Sequence, residues 1–297
     1  MKRLLQCTAV LSFSLVLLTP HEAIAEQLRS GDIIVADGGA SSIIRVDPAT
    51  GAQTLISSSG FLNAPYGIKI ISNSGDILVV DHNANAIIRV NPTTGAQTVV
   101  SSGGHLNGPL GLAIDAQGSI FVSVPHILAG SFGIFRVDPM TGEQSTVAVS
   151  NSFRTLDGLA IDGSGNILVV DAYLRTIFRL HPVTRTHTLV SSGGALGEPH
   201  DLAIDAAGHL FVTNDVTFGG PIVRVDPSTG AQTVVSSGGS FFGLYGIAID
   251  AVGHLIVAYR YGTGAPAVVR VDPATGAQTV VSSGGSLRFP LGIAIVP

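Results

Sequence analysis

The sequence predicts an all-β fold: one six-bladed β-propeller with four antiparallel strands per blade, its ring closed by a C-terminal strand that joins the N-terminal blade. Three observations lead there. The decapeptide RVDPATGAQT stands at residues 45–54 and again at 270–279, with close copies at 89–98, 136–145 and 224–233. A Gly-apolar-x-apolar segment recurs at 67–71, 111–115, 158–162, 201–205 (where Asp201 replaces Gly), 246–250 and 292–296, spaced by 44, 47, 43, 45 and 46 residues. A period near 45 that holds four short β-rich runs is the pattern of a propeller blade. Finally, neither end of the chain makes a whole blade alone.

Taken in chain order, residues 1–25 read as a cleaved secretory signal. Lys2 and Arg3 give a basic start, Leu4 to Leu18 are mostly apolar, and Ala23-Ile24-Ala25 offers a small-residue cleavage site. Residues 26–297 then form a single domain, with 26–30 expected to be loose. Each repeat carries strand a (such as GLAID), strand b (ILVVD), strand c (IIRV) and strand d (QTVVSS). Asp115-Ala116-Gln117-Gly118 and its relatives suit a tight a–b hairpin, with glycine at positive φ. Asp47-Pro48-Ala49-Thr50-Gly51 places Pro at the second position of a turn and joins c to d. The mature N-terminus enters at strand b, Gly31 to Asp37, and the C-terminus stops at strand a, Gly292 to Val296. Together they complete one blade, which removes the open sheet edge that would invite aggregation.

Composition narrows the function classes. The chain is 45% hydrophobic and 12% charged, so it can bury a sizeable core. Cys7 is the only cysteine and lies ahead of the apolar run, which argues against lipidation there and leaves a mature chain without disulfides. Removing Lys2, Arg3 and Glu22 leaves 13 basic and 19 acidic residues, a formal charge of −6. Nothing in that balance attracts nucleic acid, which needs clustered Lys and Arg. No second apolar run follows to anchor the chain in a membrane, so an exported monomer, periplasmic or extracellular, is expected.

The segments PYGIKIISNSGDILVVDHNANAIIRV and GLAIDAQGSIFVSV resemble NHL repeats and their relatives in the gluconolactonase (senescence marker protein) and streptogramin lyase groups. The resemblance spans residues 31–297 and implies a six-bladed propeller. It fixes no chemistry, because the scaffold serves lactonases, lyases and binding modules alike.

Function has to come from where the repeats differ. Arg45, Arg89, Arg136, Arg179, Arg224 and Arg270 occur on every strand c and read as blade-packing partners. Asp115, Asp162, Asp205 and Asp250 open the a–b turns and read as caps. The d–a and b–c loops share one face, where repeat proteins usually bind. The residue before the strand-a glycine should ring the channel mouth; blade by blade it is Tyr66, Leu110, Asp157, His200, Tyr245 and Leu291. Asp157 and His200 stand out, as does Asp201, which breaks the glycine pattern. His82, His105 and His126 lie in loops on the same face, whereas His181, His187, His209 and His254 fall in turns of the opposite face. Asp37, Asp81 and Asp171 end strand b and join the mouth candidates, as do Asn214 and Tyr259 at the matching places. Phe61, Phe153, Phe241, Phe242, Tyr261 and Phe289 suit either a partner surface or plugs between blades.

LDGLAIDGSGNI at 156–167 is similar to the Asp-Gly segment that supplies a metal-binding carboxylate in gluconolactonase-like propellers, and EPHDLAID at 198–205 to the Pro-His-Asp segment of the peptide-amidating lyase, whose His binds metal. That resemblance implies Asp157, His200 and Asp201 as a ligand set for Ca2+ or Zn2+, with water or backbone oxygens completing it. Other marks of those groups are missing: Leu110 stands where the gluconolactonase pattern wants Asn, and Trp is absent. Two functions remain open. One is a binding module for a small molecule or protein at the mouth face; the other is a divalent-metal-dependent hydrolase or lyase acting on a small ester, lactone or peptide-like substrate.

Overall fold

The computed structural model describes residues 27–127, 131–215, 219–239, 241, 243–260 and 265–297, without the side chains of 126, 127 and 131. The expected signal segment, the side chain of His126, and Phe242 and Tyr261 therefore lie outside the described residues. Twenty-four strands form six four-stranded antiparallel sheets. Blade 1 holds Ile33–Asp37, Ser42–Val46 and Gln53–Ser58, and its innermost strand is Pro290–Ile295 from the other end of the chain. Ile33 pairs with Ile295 and Val35 with Ile293, which closes the ring as the repeat pattern requires. Blades 2 to 6 run in sequence from strands a at Pro65–Ile70, Leu112–Ile114, Leu156–Ile161, Pro199–Ile204 and Leu244–Ile249. Leu28, in the segment expected to be loose, instead packs against the core between blades 1 and 2, and the Asp32 amide donates to the Arg29 carbonyl.

Sequence and burial agree strand by strand. Strand b is wholly apolar up to its last residues (ILVVD, IIVAD) because a neighbouring blade covers each of its faces, and all five residues are buried in blades 1, 2 and 4. Strand d lies at the rim and exposes its second, third and last residues while burying the serine before the last. The core is accordingly six wedges, each made by two adjacent blades. A β-bulge interrupts the c–d register of all six blades, between Ile43 and Ile44 in blade 1 and at the matching places elsewhere. A bulge raises local twist, which a propeller blade needs.

The copied decapeptide turns out to be a fastener between blades. Gln97 donates from Nε2 to the Ser57 hydroxyl at 2.9 Å and the Ser59 carbonyl at 3.0 Å of blade 1, and its Oε1 accepts from the Phe61 amide at 2.7 Å. Gln53, Gln144, Gln232 and Gln278 grip the preceding blade's Ser hydroxyl in the same way. The turn glycine beside them is held equally close: a Cβ on Gly95 (φ +68°) would stand 2.5 Å from the Ile56 carbonyl oxygen. Blade 4 carries His187 in the glutamine's place, and there the ring meets Phe153 and Phe178, with centroids 5.1 and 5.7 Å away. His187 is exposed and also packs at a blade interface. Two strand-c arginines also bridge blades, from Arg179 to the Pro227 carbonyl and from Arg270 to the Pro48 carbonyl.

Candidate functional site

All six strand-a starts meet on the channel axis. Tyr66, Leu110, Asp157, His200, Tyr245 and Leu291 line one cavity together with Asp201 and Lys69. Backbone crowding explains the glycines that follow them. The Gly67 amide donates to the Leu110 carbonyl at 3.0 Å, and a Cβ on Gly158 would stand 2.2 Å from Asp201 Oδ1. The cavity measures about 20 Å3, room for a water and far below the volume of an organic ligand.

Asp201 fills the space that the glycine of the preceding blade leaves open. Its Oδ1 accepts from the Leu202 amide at 2.8 Å and its Oδ2 from the Ile247 amide at 3.2 Å, so one carboxyl ties blades 5 and 6. Burial raises its pKa to about 6, against the opposing pull of the Lys69 charge and the two amides. Lys69 stands where the other blades carry Ala113, Ala160, Ala203, Ala248 and Ala294. It is the cation that shares the channel with Asp201.

Asp157 is buried, and its Oδ2 lies 2.7 Å from His200 Nδ1. Burial alone would lower the His200 pKa, but the Asp157 hydrogen bond and charge, with Asp215 and Glu198 beyond, outweigh it and raise the value. The His200 ring stacks on Tyr245 with centroids 4.3 Å apart, and Tyr66 meets Tyr245 edge-on at 6.1 Å. Burial holds the Tyr66 phenol well above its ordinary pKa, so it stays protonated. The Arg260 guanidinium carbon lies 4.5 Å from the Tyr245 ring centre and 3.9 Å from that of Phe289. A row of contacts thus crosses the mouth from Asp157 through His200, Tyr245 and Arg260 to Phe289.

Two buried hydroxyls support this row. Ser123 donates to the Asp157 carbonyl at 2.5 Å while accepting from the Gly111 amide, and Thr213 donates to the Tyr245 carbonyl at 2.5 Å. They occupy the fourth position of strand b, where the other blades have Ala36, Val80, Val170 and Ala258. That polar exception was readable in the repeat alignment, as was Lys69 among alanines. Arg260 follows strand b of blade 6 at the place of Gly38, His82, Ala172 and Asp215, whose amides bond the d–a loop in the same way, and so varied a position gives no pattern for an arginine to break.

Several candidates lie elsewhere. Asp37, Asp81 and Asp171 are fully buried and do not line the mouth; each clamps two loops through backbone amides. Asp37 accepts from Ala40, Arg288 and Phe289, Asp81 from Asn63, Ala64 and Ala84, and Asp171 from Arg154, Thr155 and Leu174. Asn214 does the same through the Gly197 amide and the Pro221 carbonyl, and Tyr259 belongs to the wedge between blades 5 and 6. His82 packs against Gly108, and exposed His105 stacks on Phe135 at 4.5 Å; neither lines the cavity. Phe153 and Phe241 are fully buried plugs, whereas Phe61 is 53% exposed.

The ligand set that the family resemblance implies fits poorly. Asp157 is engaged by His200, both oxygens of Asp201 accept backbone amides, and no group of three or more His, Cys, Asp or Glu converges among the described residues.

No family model and no curated protein sequence matches the chain. Among solved structures, a chain in the crystal structure of a nidogen/laminin complex is similar over 90% of this chain and 98% of its own length, with a TM-score of 0.75 at 16% identity. At that identity the likeness is one of fold. The chain has the architecture of a six-bladed β-propeller.

Proposed function

We propose that the protein is an exported, NHL-like propeller that binds a protein segment across its channel mouth. The observation that carries this reading is the row from Asp157 to Phe289 laid over a cavity of only about 20 Å3. At this mouth His200, Arg260 and Phe289 stay partly exposed over the buried Asp157 and Tyr245, and the cavity beneath has room for little more than a water. Arg260, held between the Tyr245 and Phe289 rings, loses little freedom on contact, and arginine is among the residue types that dominate protein-binding hot spots. Phe61, 53% exposed in a d–a loop, adds apolar area to that set of loops. The similar solved structure is of a nidogen/laminin complex, a protein assembly, which supports the same reading.

The metal-dependent hydrolase or lyase has one observation in its favour, the raised pKa of Asp201 beside Asp157. The engaged donors weigh against it. Selection of displayed peptides on the wild type, with counter-selection on Tyr245→Ala/Arg260→Ala, tests the binding reading. Peptides that depend on both residues are expected, their affinity falling at least about tenfold in the double variant. Binders indifferent to the double variant, or metal that co-purifies and is lost with Asp157→Ala, would favour the alternatives.

A further inference from the structure

The opposite end of the channel is wider than the mouth. Two adjoining hollows of about 350 and 360 Å3 open on the face of the a–b and c–d turns, and they share Lys69, Ile70, Ala160 and Ile161. Around them the last strand-a residue of each blade contributes Ile70, Ile114, Ile161, Ile204, Ile249 and Ile295. All six isoleucines are only partly buried, so the ring is apolar and open to solvent. Lys69 lines both these hollows and the small upper cavity, and so marks the throat where the funnel ends. Among the described residues no hydrogen bond or ion pair reaches its ammonium; the carboxyl it senses is that of Asp201, itself satisfied by amides. Carboxylates near the rim are already engaged: Asp115 by the Gln117 and Ser119 amides, Asp162 by Arg179, Asp205 by His209, and Asp250 by His254 and Arg270.

We infer that this funnel is a binding site for an amphiphilic monoanion, a carboxylate on an unbranched alkyl chain. The carboxylate would meet the Lys69 ammonium at the throat and the chain would lie against the isoleucine ring. The hollows have the size of small-molecule sites, and Lys69 stands in the lining of both beside the isoleucine side chains. An ammonium in such surroundings gains more from an anion than it would in water. Five blades carry alanine at the throat, so blade packing does not call for the lysine. The site is separate from the mouth and does not depend on the function proposed there.

Titration calorimetry with decanoate below its micellar concentration tests the inference. Saturable binding of one decanoate to the wild type is expected, with at least about tenfold weaker binding to Lys69→Met and no saturable binding of decyltrimethylammonium. A rim variant that leaves the throat intact, Ile249→Glu, should weaken decanoate to a similar degree, and this arm decides the matter should Lys69→Met fail to fold. Arg260→Ala at the far mouth should leave decanoate binding unchanged. Absence of saturable binding to the wild type, equal affinity in Lys69→Met and Ile249→Glu, or loss in Arg260→Ala would each overturn the assignment.

Discussion

Asp201 makes a quantitative prediction about pH. Its carboxyl titrates at about 6 in the folded protein against 3.8 when exposed. Between those values the folded state holds a proton that the unfolded state has released, so stability falls as pH rises through this window. A shift of this size corresponds to about 3 kcal/mol at pH 7, at 1.36 kcal/mol per pKa unit. Asp201→Asn removes the titration and keeps a side-chain oxygen to accept from the Leu202 or Ile247 amide. Guanidinium unfolding of both proteins from pH 4 to pH 7.5 should therefore show the variant gaining about 3 kcal/mol relative to the wild type, nearly all of it by pH 7. Lys69→Met should steepen the wild-type dependence, because the lysine charge is what holds the Asp201 value down. Parallel curves for wild type and Asp201→Asn would refute the reasoning.

Three further outcomes follow from contacts in the structure and a fourth from the sequence. His200 has a raised pKa, so the stability it lends is complete below about pH 6.5 and lost as pH rises through the raised value; Asp157→Asn should return its NMR titration toward the ordinary histidine range. Gln97→Ala breaks three interblade hydrogen bonds and should cost about 1–3 kcal/mol in denaturant unfolding. Phe153 is fully buried, and Phe153→Ala should cost about 3–5 kcal/mol; Phe153→Leu, matching Leu62, Leu106, Leu196 and Leu287 of other blades, should cost less. Mass spectrometry of exported protein should find a chain that starts at Glu26, and a retained Met1 would contradict export by a cleaved signal.

Blade number, ring closure and the six residues of the mouth were legible because each follows from the repeat period alone. Tyr66, Leu110, Asp157, His200, Tyr245 and Leu291 all line the cavity because strand a sits at the same radius in every blade. Roles within the blade were harder to read. A carboxylate closing strand b looks the same in sequence whether it faces a ligand or, as with Asp37, Asp81 and Asp171, turns inward to cap two loops. Phe153 and Phe61 likewise sit in comparable loops, yet one plugs a wedge and the other is exposed. Lys69, Ser123 and Thr213 carried a signal, a polar residue at a place that other blades keep small or apolar, that only a position-by-position comparison brings out. Arg260 carried none, since the position after strand b differs in every blade and its stacking on Tyr245 and Phe289 is set only by the fold.

The central proposal is that a protein segment binds at the face of the d–a and b–c loops. Hydrogen–deuterium exchange of the protein with and without a mouth-selected peptide measures this directly. The account predicts slowed exchange at residues 61–67, 198–201, 243–246 and 287–291, and unchanged exchange in the a–b and c–d turns. Protection confined to those turns, with the mouth segments exchanging as in the free protein, would contradict it.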